Sequence, residues 1–97
     1  MIKSKQRAYL RSMSNQIDTI VHVGKEGISA NVIKQLDEAL TARELVKCRV
    51  LDACPLSSRE ACEALSSETK GEPVQVIGSR FTIYRENKKN KSIHLPH

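Results

Sequence analysis

Apolar positions along the chain switch between a period near 3.6 and a period of two, and each switch marks an element. Tyr9, Leu10 and Met13 form a short helical stripe within residues 3–15, with Ser4 as the candidate N-cap. Residues 17–23 are rich in β-branched side chains and predict a strand. Val32, Ile33, Leu36 and Leu40 return to helical spacing; Ser29 is placed to cap that helix and Ile28 to pack on Ile33 as a staple. In residues 45–51 the period is two again. Val46, Cys48 and Val50 share one face and Lys47 and Arg49 the other, as in a strand with one side covered and one at least partly open. Pro55 breaks the chain, and Ser57-Ser58-Arg59-Glu60 is a capping box for a third helix with Ala61, Cys62 and Leu65 as its buried stripe. Gly71 sits in the usual C-cap place, and Pro73 blocks continuation. Residues 74–77 and 81–84 predict two strands joined at Gly78-Ser79, a pair suited to a type II′ hairpin turn.

The predicted order is α-β-α-β-α-β-β. Two right-handed crossovers predict parallel strand pairs, and the last hairpin adds one antiparallel strand. The expected fold is therefore α/β and two-layer, a four-stranded mixed sheet with helices mainly on one face. Residues 1–86 make one domain, and residues 87–97 a basic, flexible tail.

Composition narrows the function. With 39% hydrophobic and 28% charged residues in 97, the chain has enough apolar material for one modest core and is not a disordered polymer. No apolar run reaches the roughly 18 residues of a membrane span. The start of the chain is polar and basic, without the apolar segment of a signal peptide, so a cytoplasmic, reducing location is expected. Cys48, Cys54 and Cys62 agree: odd in number and without histidines at zinc spacing, they read as reduced apolar residues. The net charge of +5 is unevenly spread. Residues 1–11 hold Lys3, Lys5, Arg7 and Arg11 with no acid, and residues 80–97 hold Arg80, Arg85, Lys88, Lys89 and Lys91 against Glu86 alone. The intervening stretch is net acidic. A fold that brought both ends to one side would have a positive face suited to a polyanion, nucleic acid before membrane.

Between the first strand and second helix lies Gly24-Lys25-Glu26-Gly27. A glycine turn opening into a helix presents backbone amides and a positive dipole end to an anion. Its spacing is neither that of a Walker A loop nor that of the dinucleotide fingerprint. A G-x-x-G turn does serve RNA recognition in KH domains, where it lets the main chain approach the sugar-phosphate backbone closely. His22 lacks a carboxylate or serine at a recognisable spacing, and no metal cluster stands out. An enzyme is not indicated by motifs.

The blocks from Val23 to Ile28 with Val32-Ile33, then Glu44-Leu45-Val46-Lys47, Arg59-Glu60-Ala61, Val74-Gln75-Val76-Ile77-Gly78 and Phe81-Thr82-Ile83-Tyr84-Arg85 resemble, in that order, the CRM domain family of chloroplast RNA splicing and ribosome maturation. Over residues 2–86 the chain is similar to the family's stand-alone bacterial, YhbY-like members. The resemblance implies a fold related to the C-terminal domain of bacterial translation initiation factor 3, with sheet order 1-2-4-3. It also implies a non-catalytic protein binding ribosomal RNA of the large-subunit precursor. The family's RNA-contacting turn falls on Gly24, Lys25, Glu26 and Gly27; Lys5, Arg7, Arg11, Arg80 and Arg85 are the flanking basic positions. A monomer with no cofactor, metal, small-molecule substrate or membrane partner is expected. The alternative is an assembly factor docking on a ribosomal protein or assembly enzyme through its acidic third helix. With only Tyr9, Phe81 and Tyr84 as aromatics, base stacking is expected to be a minor contribution.

Overall fold

A computed structural model describes residues 2–89 and 91–96. The elements are α1 (Ser4–Ser14), β1 (Thr19–Val23), α2 (Ala30–Arg43), β2 (Leu45–Val50), α3 (Ser58–Thr69), β3 (Glu72–Ile77) and β4 (Arg80–Tyr84). The four strands form one mixed sheet in the order β1-β2-β4-β3.

Only β1 and β2 form a parallel pair; β4 pairs antiparallel with both β2 and β3. The second crossover does leave β3 parallel to β2 in direction, but the hairpin partner β4 lies between them. Sequence explains the exchange. Strand β4 carries Phe81 and Ile83 into the core, whereas β3 carries Pro73, whose missing N–H is harmless at an edge.

One face of the sheet meets α2 and α3. Val21, Val23, Val46, Cys48, Phe81 and Ile83 pack there against Val32, Leu36 and Leu40 of α2 and Ala61, Cys62 and Leu65 of α3. Leu36 and Leu65 are wholly buried, so truncation of either to alanine costs about 2–5 kcal/mol. The expected two layers are thus the sheet and these helices. Helix α1 is an addition: it crosses the opposite face, where Leu10 meets Leu45, Val74, Tyr84 and Ile93. Lys47, expected on an open face, lies partly covered beside the end of α1 and donates to Ser14 O at 3.0 Å. The Ser14 and Thr82 hydroxyls meet at 2.6 Å.

Local signals fix most boundaries. Ser29 Oγ accepts from Val32 N at 3.2 Å, and Ile28 and Ile33 both pack against the main core. The Ser57–Glu60 capping box closes in both directions, at 3.1 and 2.9 Å. Gly78, with φ +58, fills the first corner of the hairpin, and Ser79 has no positive φ, as a type II′ turn requires. Two ends differ from expectation. Ser4 lies inside α1, whose N-cap is Lys3, and Gln6 Oε1 accepts from Lys3 N. Lys70, not Gly71, takes the left-handed C-cap position; Gly71 is instead small for packing, since a Cβ there would fall 2.6 Å from Ile83 Cγ2.

The segment after β4 does not leave the domain as a free tail. Glu44, at the α2–β2 junction with φ 65, is buried. Its Oε2 accepts from Asn87 N at 2.8 Å, while Oε1 accepts from Ser92 N, Ser92 Oγ and Ile93 N at 2.6, 2.8 and 2.7 Å. Burial pushes this carboxyl up, but the Asn87 N–H, the Ser92 hydroxyl and N–H and the Ile93 N–H outweigh burial and hold it below the usual carboxylate range. Ile93 is buried, and Pro96 O accepts from Gln6 Nε2 at 3.0 Å. The two basic ends of the sequence therefore meet on the α1 side of the sheet.

Candidate nucleic-acid interface

The C-terminal ends of β1 and β2 define the end of the sheet where chemistry converges. Val23 pairs with Val50, and Leu51 N donates to Val23 O at 2.9 Å, tying the exits of the two strands together. Both α2 and α3 begin at this end, each with the positive end of its dipole. Glu60 and its capping box occupy the first turn of α3, whereas α2 has no acidic residue in its first turn. Among the described residues no partner takes the N–H groups of Ala30 and Asn31.

The turn leading into α2 is closed by Gly27 N donating to Gly24 O at 3.0 Å. Its two glycines differ. Gly27 is buried with φ +64, a region that costs an L-residue roughly 1–2 kcal/mol. Gly24 has no positive φ, and a Cβ there would meet only Leu51 Cδ1 at 3.9 Å. The fold demands glycine at Gly27 and not at Gly24. Lys25 and Glu26 are exposed at the tip. The turn, His22, Ser29, Asn31 and Gln35 line a shallow concavity of about 260 Å³.

The structure brings one of the flanking basic positions toward this end. Arg80 opens β4 and pairs with Arg49, near the end of β2. Lys5, Arg7 and Arg11 lie on α1, which packs over β2 and β3, away from β1 at the opposite edge. Lys5 and Arg11 are exposed and Arg7 half-buried; Arg11 lines a groove with Arg59 along the outer edge of β3. Arg85 is spoken for. Its Nη1 donates to Asp37 Oδ1 at 2.6 Å and Thr69 O at 2.9 Å, and its Nη2 to Asp37 O at 3.0 Å and Thr41 Oγ1 at 2.8 Å. That guanidinium joins the far end of β4 to α2 and α3. The sequence offered no sign of this, because Asp37 is 48 positions away.

Charge is divided by face. Asp37, Glu38, Glu60, Glu63 and Glu68 lie on α2 and α3 against Lys34, Arg43 and Arg59. Lys5, Arg7, Arg11, Lys47, Arg49 and Arg80 belong to the other face. Among the described residues no group of His, Cys, Asp and Glu is placed to hold a metal ion. Burial pushes the Cys48 thiol up to about 12, with Cys62 adding to the effect, which makes it a poor nucleophile at neutral pH. No helix of the described residues is long and apolar enough to cross a membrane.

Comparison with known proteins gives concordant matches. The sequence model of the CRS1/YhbY (CRM) domain matches residues 2–85. A Bacillus subtilis protein named "Probable RNA-binding protein YqeI" is 43% identical over 96 residues, covering 99% of this chain and 100% of that one. A Haemophilus influenzae protein named "RNA-binding protein" is 30% identical over 95 residues, covering 98% and 95%. The fold matches the solution structure of a Staphylococcus aureus protein described as an RNA-binding candidate, at TM-score 0.83 and 50% identity over 99% of this chain and 100% of that one.

Proposed function

The chain belongs to the CRS1/YhbY (CRM) domain family, and from that premise we propose that it is a non-catalytic RNA-binding protein that acts on ribosomal RNA during large-subunit assembly in the cytoplasm. The observation that carries the reading is the turn before α2. At Gly24 the fold itself does not require glycine, and the residue stands at the mouth of a helix whose first amides have no partner among the described residues. An RNA backbone laid there meets N–H donors and a positive dipole end, with Lys25 beside them. Of the flanking basic residues, Arg80 reaches the same RNA; Lys5, Arg7 and Arg11 touch a more distant part of a large structured one. Arg85 serves the fold.

The test is binding of the full chain to large-subunit ribosomal RNA fragments across a salt series, beside a Gly24→Asp/Lys25→Glu variant and a Lys88→Gln/Lys89→Gln/Lys91→Gln variant. Truncation after Glu86 is avoided because it would strip Glu44 of its donors. A steep salt slope in the parent, lost with the turn variant while its fold is intact, supports the reading. A turn variant that binds like the parent refutes it, and absence of RNA binding in the parent would favour docking of the acidic third helix, α3, on a basic protein.

A further inference from the structure

We propose that the uncovered end of the sheet is a second contact surface for the same RNA: an unpaired stretch lies across the row His22–Arg49–Arg80, adjoining the strand held at the glycine turn. This extends the RNA-binding reading of the turn and rests on it.

The row follows from register. His22 is paired with Arg49 across β1 and β2, and Arg49 with Arg80 across β2 and β4. Directly paired residues project to the same face, so the three side chains stand side by side over about 10 Å, two strand spacings. Their chain neighbours Val21, Val23, Cys48 and Phe81 point to the opposite, buried face. All three row residues are exposed, because α1 ends at Ser14 and covers only the half of the face that holds Leu45 and Tyr84. The row also joins two concavities: His22 lines the one at the glycine turn, and Arg80 lines another with Asn15, Gln75 and Ile77.

Two features select the occupant. Among the described residues neither guanidinium has a hydrogen-bond or carboxylate partner, so both charges are available to an anion. Beside the cations, Ile20, Leu51 and Ile77 are 37, 40 and 62% exposed. A duplex turns phosphates and ribose outward and offers little to such apolar groups. Unstacked bases do, and they also stack on imidazole and guanidinium planes, which here stand in for the missing aromatics.

The experiment uses the full chain with two fluorescent probes of equal phosphate count, an unstructured oligouridine and a perfectly paired RNA hairpin, each titrated across a salt series. For oligouridine, Arg49→Ala/Arg80→Ala is expected to lose about tenfold in affinity and to flatten the log–log salt slope by about 1.4, two single-strand phosphate contacts. His22→Ala is expected to lose about threefold, a fraction of one stacked base. The loss of hairpin binding is expected to be several-fold smaller than the loss of oligouridine binding. All three side chains are exposed, and an unchanged melting curve verifies each fold. Oligouridine binding that is indifferent to the row variants overturns the proposal, as does an equal loss on both probes. The Gly24→Asp/Lys25→Glu variant separates the two readings. If binding depends on the turn and not on the row, the row alone is wrong; if the parent binds neither probe nor the ribosomal fragments, both are.

Discussion

Alanine at each of the two turn glycines should give opposite results. At Gly27 the backbone sits at φ +64, where a Cβ costs roughly 1–2 kcal/mol. The new methyl would lie 3.6 Å from Pro55 Cγ, an ordinary contact that adds no clash. Strain is thus the whole effect. For a domain of this size each 1 kcal/mol moves the melting temperature by about 4–8 °C, so Gly27→Ala should melt about 4–16 °C below the parent. At Gly24 the backbone is not left-handed and the Cβ meets only Leu51 Cδ1 at 3.9 Å, so alanine mainly restricts the unfolded chain and is neutral or stabilising by up to about 1 kcal/mol. RNA affinity should order the variants differently: Gly24→Ala would interpose a methyl at the proposed approach of the RNA backbone and should weaken binding about five- to tenfold, roughly 1 kcal/mol or slightly more. Calorimetric melts of both proteins, paired with anisotropy titrations against a large-subunit RNA fragment, check both orders. A Gly24→Ala protein that melts below Gly27→Ala refutes the assignment of strain, and one that is stable and binds like the parent refutes close approach at Gly24.

Three further outcomes follow from other parts of the fold. Glu44, held below its ordinary pKa by the four donors of the C-terminal segment, contributes stability that is complete above about pH 4.5 and is lost as pH falls through its lower folded value. Urea midpoints measured from pH 6 downward should therefore drop less steeply in Glu44→Gln, which at pH 7 is already weaker by about 2–3 kcal/mol; parallel pH profiles would contradict this. Arg85→Gln should cost about 1–3 kcal/mol in urea unfolding, since it orphans Thr69 O and Asp37, yet leave the salt slope of RNA binding unchanged. Lys25→Ala should do the reverse, with stability within about 0.5 kcal/mol of the parent and a salt slope smaller by about 1.

How legible these features were depended on how local their causes are. The strand and helix patterns, the Ser57–Glu60 box, the Ser29 cap and the Gly78-Ser79 turn are decided within a few residues, and the structure has them all. The position of β4 between β2 and β3 is a contest between distant segments for the central place. Resemblance supplied that order where crossover rules alone suggested two parallel pairs. Glu44 and Arg85 look in sequence like ordinary surface charges. Their partners lie 43 to 49 and 16 to 48 positions away, and no spacing rule reaches that far. Arg49 was visible as the open-face residue of an alternating strand, but its neighbours His22 and Arg80 follow only from strand order and register together.

On the proposed reading the two ends of the sheet divide the work of the molecule, and the length of α1 is the reason. Its 11 residues rise about 16 Å, enough to roof the hydrophobic half of one face around Leu45 and Tyr84 and no more. At the roofed end, Glu44 and Arg85 spend their charges on internal partners, so changes there register in stability. At the open end, Lys25, Arg49 and Arg80 are exposed while α2 points its N-terminus, with no acid in its first turn, the same way, so on the proposed reading changes there should register in binding. Gly27 is the exception that belongs to both: its left-handed backbone sets the angle at which the turn presents Gly24 and Lys25. Strain at Gly27 should therefore lower affinity only as far as it shifts the turn, and raising stability elsewhere should restore the melting temperature of Gly27→Ala without restoring its affinity.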